Sequence, residues 1–91
     1  MAYYKIKWKA KAKKKFDKLD KVIQSRITEY LKKVVISENP KAYGKRLDGN
    51  LKRFTSFRVG KYRIVAEIKD NELIIYIVSV GKREIVYDDI D

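Results

Sequence analysis

The chain has 91 residues and a formal net charge of +11, and it contains neither cysteine nor histidine. This length predicts one domain, residues 1–91, with a single modest core. The missing cysteine and histidine remove disulfides, the commonest metal ligands and the usual neutral-pH proton shuttle. We therefore expect no metal and no cofactor, and any chemistry has to use Lys, Arg, Tyr or carboxylate side chains.

Charge and hydropathy indicate the class of partner and the compartment. The excess of 23 Lys and Arg over 12 Asp and Glu favours a polyanionic partner, which would be nucleic acid, an acidic protein or an anionic membrane. The alternative is a solvated surface with an incidental excess of lysine. No apolar run reaches the length of about 18 residues expected of a membrane span, and the basic N-terminus lacks the apolar segment of a signal peptide. We expect a soluble, cytoplasmic protein that does not bind membranes.

The first half of the chain predicts one strand and a helix hairpin. The segment "YYKIKW" (3–8) alternates with the period of a strand that has one buried face. From residue 10 onward, apolar residues recur at helical spacing with lysines on the remaining arc, which predicts a short cationic helix. Asp20 is placed to cap a second helix, and Pro40 marks its end. The second helix has one apolar stripe, formed by Ile23, Ile27, Tyr30, Leu31 and Val34.

The second half predicts three consecutive strands. Apolar runs at 54–59, 62–68 and 73–80 are separated by turn residues at 60–61 and 70–71, which indicates an antiparallel meander. The last run is apolar on both faces, so it should be a central strand. The predicted fold is α+β in the order β-α-α-β-β-β. A two-helix hairpin packs on one face of an antiparallel sheet of about four strands, which the first strand has to join.

Basic residues cluster near the predicted strand ends. Antiparallel pairing puts the start of one strand beside the end of the next, so Arg63 and Arg83 should lie close together. Converging arginines favour a phosphate ligand, which they bind bidentately. The alternative is that these cations pair with acids such as Glu67, Glu72 or Glu84. The other basic residues of these clusters are Lys45, Arg46, Lys52, Arg53, Arg58, Lys61 and Lys82.

Two further features are candidates for contacts with RNA. Tyr87 follows Arg83 by four residues, so its phenol could stack on a base or transfer a proton at the same strand end. A surface packing role is the alternative for Tyr87. The first helix would present a cationic face to an RNA backbone, and a membrane surface is the less favoured partner because the apolar side of this helix is narrow. This face consists of Lys11, Lys13, Lys14 and Lys15.

The element order, together with "FRVGKYRIVAEI", "LIIYIVSVGKRE" and the later "VY", resembles the RelE/ParE toxin superfamily, and specifically its RelE branch. The segment "KRLDGNLKRF" is similar to the K-x-L-x-G segment of that family. RelE-like toxins are small basic ribonucleases, most of which cut mRNA in the ribosomal A site. The resemblance implies a metal-independent endoribonuclease whose partners are the ribosome, mRNA and an acidic cognate antitoxin.

The resemblance also implies roles for individual residues. The arginine of the family's G-x-Y-R strand falls on Arg63, and the arginine after V-G-K falls on Arg83. The C-terminal tyrosine of the family falls on Tyr87, and Arg58 matches a further basic position.

One departure from the family pattern bears on activity. The basic pair that RelE carries on the preceding strand falls on Phe54 and Ser56, neither of which can donate a proton as lysine does. Lys52 or Arg53 would supply the acid if the register differs. There are two alternatives to an active endoribonuclease. One is a weakly active homologue that mainly binds RNA, and the other is a ParE-like protein that inhibits DNA gyrase without catalysis.

Overall fold

The computed structural model describes residues 3–82 and folds them into two helices on one face of a five-stranded sheet. Short 3-10 turns flank the second strand, and none of the helices in this part of the chain is long and apolar enough to cross a membrane. The α+β class and the predicted order of helices and main strands are confirmed. The elements are β1 (Lys5–Trp8), α1 (Ala10–Asp17), α2 (Lys21–Ile36), β2 (Lys45–Arg46), β3 (Phe54–Val59), β4 (Tyr62–Lys69) and β5 (Ile74–Lys82).

The strands lie in the order β1-β5-β4-β3-β2. The meander pairs antiparallel as predicted, but β1 pairs with β5 in parallel, with Ile6 opposite Ile75. The sheet is therefore mixed, because the alternation in β1 predicts a strand without specifying the direction of its neighbour. The short β2 lies within the predicted basic loop, since two residues are too few to show a strand period.

The main core lies between the helices and the sheet. Both helices turn their apolar stripes inward, and the rings of Trp8 and Phe16 pack with centroids 4.8 Å apart. The start of α2 differs from the prediction, because the Asp20 side chain forms no cap hydrogen bond. Only the Asp20 backbone carbonyl accepts a hydrogen bond, from the Gln24 amide at 2.9 Å. The buried residues of this core are Ala12, Phe16, Ile27, Leu31, Val34, Phe57, Ile64, Ala66, Ile68, Ile75, Ile77 and Val80.

A smaller core covers part of the opposite sheet face, which we call the second face. Phe54, Val65 and Val78 are buried there, and Leu47 and Leu51 from the segment between β2 and β3 pack over them. Strand β5 contributes to both cores and has a strand on either side, which confirms its predicted central position.

Gly44 allows β2 to approach β3 closely. A Cβ atom at this position would lie 2.7 Å from the Ser56 carbonyl oxygen, 2.7 Å from Thr55 Cγ2 and 2.8 Å from Phe57 Cδ1. Carbon atoms do not pack at such distances, so only glycine fits without a shift of β3. Gly60 is different, because it has a φ of +59° and open space around the position of a Cβ.

A polar cluster joins three segments at the end of the sheet that holds the β4–β5 turn. The Tyr4 hydroxyl donates to Asp70 Oδ1 at 2.7 Å, and Lys41 Nζ donates to Asp70 Oδ2 at 3.0 Å. These hydrogen bonds, first from Tyr4 and then from Lys41, hold the pKa of Asp70 below its ordinary value. The hydrogen bond to Asp70 also raises the pKa of Tyr4.

We predict that Gly44→Ala lowers the free energy of unfolding by about 1–3 kcal/mol, the usual cost of overpacking. Gly60→Asn is the matched control, and it should cost less than about 1 kcal/mol because asparagine tolerates positive φ. Urea unfolding of both variants measures the two costs. Equal losses of unfolding free energy in the two variants would show that close approach to β3 is not what requires glycine at position 44.

We predict that Asp70→Asn is less stable than the parent at pH 7 and that this difference shrinks as the pH falls below about 4. A lowered folded-state pKa stabilises the fold above the unfolded-state pKa, and this contribution is lost as Asp70 is protonated. The Lys41 and Asp70 side chains are 56% and 53% exposed, so the effect should not exceed about 1 kcal/mol. Urea unfolding across pH measures it, with the exposed Asp48→Asn as control; a pH-independent difference would contradict the prediction.

Candidate nucleic-acid interface

The register of the sheet brings two of the predicted site residues together. Arg58 of β3 lies opposite Arg63 of β4, and Arg63 lies opposite Gly81 of β5. Directly opposed residues of antiparallel strands share a face, with Cβ atoms about 4.5–5.5 Å apart. Val65, two residues beyond Arg63, packs in the core of the second face, so this set lies on the second face as well. We call Arg58, Arg63 and Gly81 the arginine row.

The arginine row stays accessible because it lies where β4 begins. Ile64 and Val65 are fully buried on opposite sides of the sheet, whereas Arg63 is half-buried and Arg58 is exposed. Gly81 was not singled out from the sequence, although an isolated glycine in a strand is a signal for close approach of a ligand. The row thus offers two guanidinium groups beside a position without a side chain.

Arg83 and Tyr87 lie outside the described residues, so their predicted places in the site stay predictions. The last described residue, Lys82, is exposed and lies opposite Tyr62. Gly81, the residue before it, lies opposite Arg63.

The basic segment between β2 and β3 has a structural role in addition to its charge. Arg46 Nε donates to the Lys52 carbonyl at 2.9 Å, and the Leu47 amide donates to the Phe54 carbonyl at 3.1 Å. The Arg53 guanidinium carbon lies 4.7 Å from the Phe54 ring centroid. These contacts hold the segment against the second face, with Lys45 opposite Ser56.

Phe54 and Ser56 occupy the second face on the same strand as Arg58. Phe54 is 3% exposed and belongs to the core there, and Ser56 is 9% exposed and lies opposite Val65. Neither side chain carries an ammonium group. Lys45 lies opposite Ser56, Arg58 follows Ser56 by two residues on β3, and the Arg53 guanidinium lies over the Phe54 ring.

The lysine-rich helix is separate from the arginine row. Helix α1 packs Ala12 and Phe16 on the helix side of the sheet, so its lysines lie on the other side of the sheet from Arg58 and Arg63. Lys13 Nζ lies 2.6 Å from Asp17 Oδ1. The turn residue Lys61 is exposed beside the row. Within residues 3–82, no group of three or more His, Cys, Asp and Glu side chains is arranged to hold a metal ion.

Comparisons with known proteins place this fold in a class of small toxins. The chain is 37% identical over 82 residues to an Escherichia coli protein named as a RelE-like toxin. The aligned region covers 89% of this chain and 84% of that protein. The RelBE2 toxin–antitoxin complex of Mycobacterium tuberculosis superposes with a TM-score of 0.80 at 26% identity, covering 91% and 94% of the two chains. A mutant of E. coli toxin RelE in the free state superposes with a TM-score of 0.77 at 25% identity, covering 98% and 94%.

The family model for the ParE toxin of the type II toxin–antitoxin system parDE matches residues 6–87. The chain belongs to this toxin family, within the RelE/ParE superfamily, and it is the toxin of a toxin–antitoxin system. The solved toxin–antitoxin complexes of similar fold support a cognate antitoxin as its partner.

We predict that Arg46→Ala loosens the segment between β2 and β3. Loss of the hydrogen bond to the Lys52 carbonyl should speed hydrogen exchange at the Leu47 amide and cost about 0.5–1.5 kcal/mol of stability. Lys45→Ala removes a neighbouring charge without that hydrogen bond and is the control. Hydrogen exchange at the Leu47 amide is measured by NMR in both variants. Equal exchange rates in Arg46→Ala and Lys45→Ala would contradict the role of Arg46.

Proposed function

We propose that the protein is a RelE-like endoribonuclease that cleaves mRNA on the ribosome, in the cytoplasm, without a metal ion. The observation that carries this proposal is the arginine row, because Arg58 and Arg63, directly opposed across β3 and β4, bring two guanidinium-bearing residues to one end of the sheet. Converging arginines favour a phosphate ligand. The membership in the toxin family and the likeness to RelE structures support the same activity.

The proposed reaction is an internal transesterification. The RNA 2′-oxygen forms a bond to the adjacent phosphorus and gives up its proton, while the bond from phosphorus to the 5′-oxygen breaks and that oxygen takes up a proton. The products are a 2′,3′-cyclic phosphate and a 5′-hydroxyl. Negative charge gathers on the phosphorane, where Arg63 and Arg83 would stabilise it; one such donor is worth about 10²- to 10³-fold in rate.

Proton transfer is the weak part of this site. Tyr87 would stack on a base or move a proton, although a phenol has an ordinary pKa near 10. With Phe54 and Ser56 in place of a basic pair, the acid for the leaving oxygen would come from Lys52, Arg53 or Arg58. Low intrinsic acid–base power favours a slow enzyme that depends on the ribosome to position the RNA.

The remaining cations would extend RNA binding beyond the reacting phosphate. Lys45, Lys61 and Lys82 surround the strand ends near the arginine row, and the lysines of α1 would contact RNA on the other side of the sheet. The cognate antitoxin would be acidic, because a toxin of charge +11 attracts an anionic partner.

A second candidate function is inhibition of DNA gyrase without catalysis. The observation in its favour is that the matching family model describes ParE toxins, together with the absence of lysine at Phe54 and Ser56. Cleavage of ribosome-bound mRNA by the purified protein would support the first function, and blocked supercoiling without cleavage would establish the second.

We predict that Arg63→Ala and Arg83→Ala each lower mRNA cleavage by about 10²-fold or more and abolish growth arrest. Arg63→Lys should recover only part of the rate, because a point charge does not replace the bidentate guanidinium. The control is Arg26→Ala, an exposed arginine on α2, which should keep full activity. Full toxicity of either alanine variant at equal expression would contradict the catalytic role assigned to that arginine.

We predict that Ser56→Lys speeds cleavage, because one well-placed general acid is worth about 10²- to 10⁴-fold. Residue 56 shares its face with Arg58, so an ammonium group there would reach the arginine row. Asn50→Lys adds the same charge at an exposed loop position and should have no effect. Cleavage rates are compared after thermal melting confirms that each variant folds.

Two results would contradict parts of this proposal. If Ser56→Lys leaves the rate unchanged while Lys52→Ala or Arg53→Ala abolishes it, the acid comes from the segment before β3. If neither the parent nor any variant cleaves mRNA but the parent blocks supercoiling, the ribonuclease proposal is wrong.

A further inference from the structure

Strand β5 contains one residue more than the stretch of β4 with which it pairs. Ile77 lies opposite Ala66 and Ser79 lies opposite Val65, so Val78 between them has no partner on β4. Every other residue of β5, from residue 74 to residue 82, has a partner on that strand. Two residues of β5 therefore oppose one residue of β4, which is a β-bulge.

The burial of β5 supports the bulge independently. Ile77 and Val80 both belong to the main core, although residues three apart in a regular strand point to opposite faces. Val78 belongs to the core of the second face, and Ser79 is fully buried opposite Val65 of the same core. Two consecutive residues of β5 thus share the second face, and the alternation resumes with its phase changed.

This change of phase decides which residue lies beside Arg63. With the bulge, Val80 is buried opposite Ile64, and Gly81 lies opposite Arg63 in the arginine row. Without the bulge, the residue opposite Arg63 would be Val80. Ser79 would then lie opposite Ile64 with its hydroxyl in the main core, which is unfavourable. The order of apolar and polar residues in the sequence therefore favours the bulge.

The bulge lies where β5 separates from β1. Trp8 lies opposite Ile77, and the Lys9 amide donates to the Ile77 carbonyl at 2.8 Å. Among the described strands, only β4 pairs with residues 79–82. A bulge bends its strand and increases the local twist. The bend therefore changes the direction of residues 79–82 while the preceding part of β5 stays held between two strands.

We propose that the bulge at Val78 positions the end of β5 at the arginine row, so that Gly81 lies beside Arg63 and leaves room for a phosphate. Val78 is a positioning residue, because its extra backbone unit acts through residues 79–82 while its side chain packs in the core of the second face. This inference rests on the phosphate site of the proposed function. It deepens that function, since bulges are over-represented next to active sites.

The test compares deletion of Val78 with Val78→Ala in the full-length protein. The deletion removes the bend but allows every other residue of β5 to keep its partner on β4. Val78→Ala keeps the extra backbone residue and removes most of the side chain, so it measures the cost of the lost packing alone. Thermal melting shows whether each variant is folded.

The measurement is the affinity for a short fluorescent RNA with 2′-O-methyl groups throughout, which is not cleaved. Arg63→Ala should weaken binding about tenfold in the parent and in the Val78→Ala background, because a hydrogen bond to a charged group is lost. In the deletion background, Arg63→Ala should weaken binding less than about twofold, because the arginine no longer acts in a complete site. A purely structural role of Val78 would leave the effect of Arg63→Ala unchanged.

A second variant decides if the deletion protein does not fold. Insertion of one alanine between Val80 and Gly81 lies beyond the last buried residue of the described chain and moves Gly81 away from Arg63. The effect of Arg63→Ala on RNA binding should again fall below about twofold. An undiminished effect in either the deletion or the insertion protein would overturn the proposal.

Two further results separate this inference from the ribonuclease proposal. If Arg63→Ala does not weaken RNA binding by the parent, the arginine row is not a phosphate site and the positioning role is wrong as well. If the parent does not cleave ribosome-bound mRNA but the effect of Arg63→Ala is lost in the deletion protein, only the ribonuclease proposal is refuted.

Discussion

The register of β4 between β3 and β5 decides which side chains enter the two cores and which lie at the candidate site. Ile64 and Val65 are both fully buried, but in cores on opposite faces of the sheet. A slip of one residue would exchange the two faces, burying Arg63 under the helices and exposing Ile64. The packing of two apolar residues thus fixes the side on which Arg63 lies, and the turn at Gly60 places Arg58 opposite it.

The two sides of the sheet have different surfaces. The second face is covered at one end by Leu47 and Leu51 and carries the arginine row at the other. The helix side has the main core and the lysines of α1. The arginine row and the lysines of α1 are therefore separated by the sheet.

The sequence predicted the elements well where burial imposes a period. The apolar run at 54–59 has the same bounds as β3, and the stripe of α2 buries Ile27, Leu31 and Val34. Contacts between segments that are distant in the sequence were harder to predict. The parallel direction of β1 follows from how the whole chain returns to the sheet, and the need for Gly44 follows from the backbone of β3, which no local pattern shows.

The candidate site could be predicted only in part for the same reason. The predicted topology placed the start of β4 beside the end of β5. The direct opposition of Arg58 and Arg63, however, depends on the register of β3. The role of Arg46 depends on a hydrogen bond to a carbonyl six residues away. The capping role predicted for Asp20 is wrong, because a suitable residue type does not ensure the hydrogen bond. Arg83 and Tyr87 lie outside the described residues.

Phosphate binding at the arginine row can be tested by NMR titration of the ¹⁵N-labelled protein with a short RNA whose reacting 2′-hydroxyl is blocked by methylation. This ligand binds without being cleaved, so the amide shifts report where the phosphate sits. We predict that the largest shifts fall at residues 58–63 and 79–82. Shifts confined to α1, or spread evenly over the basic surface, would contradict the claim that the arginine row binds the phosphate.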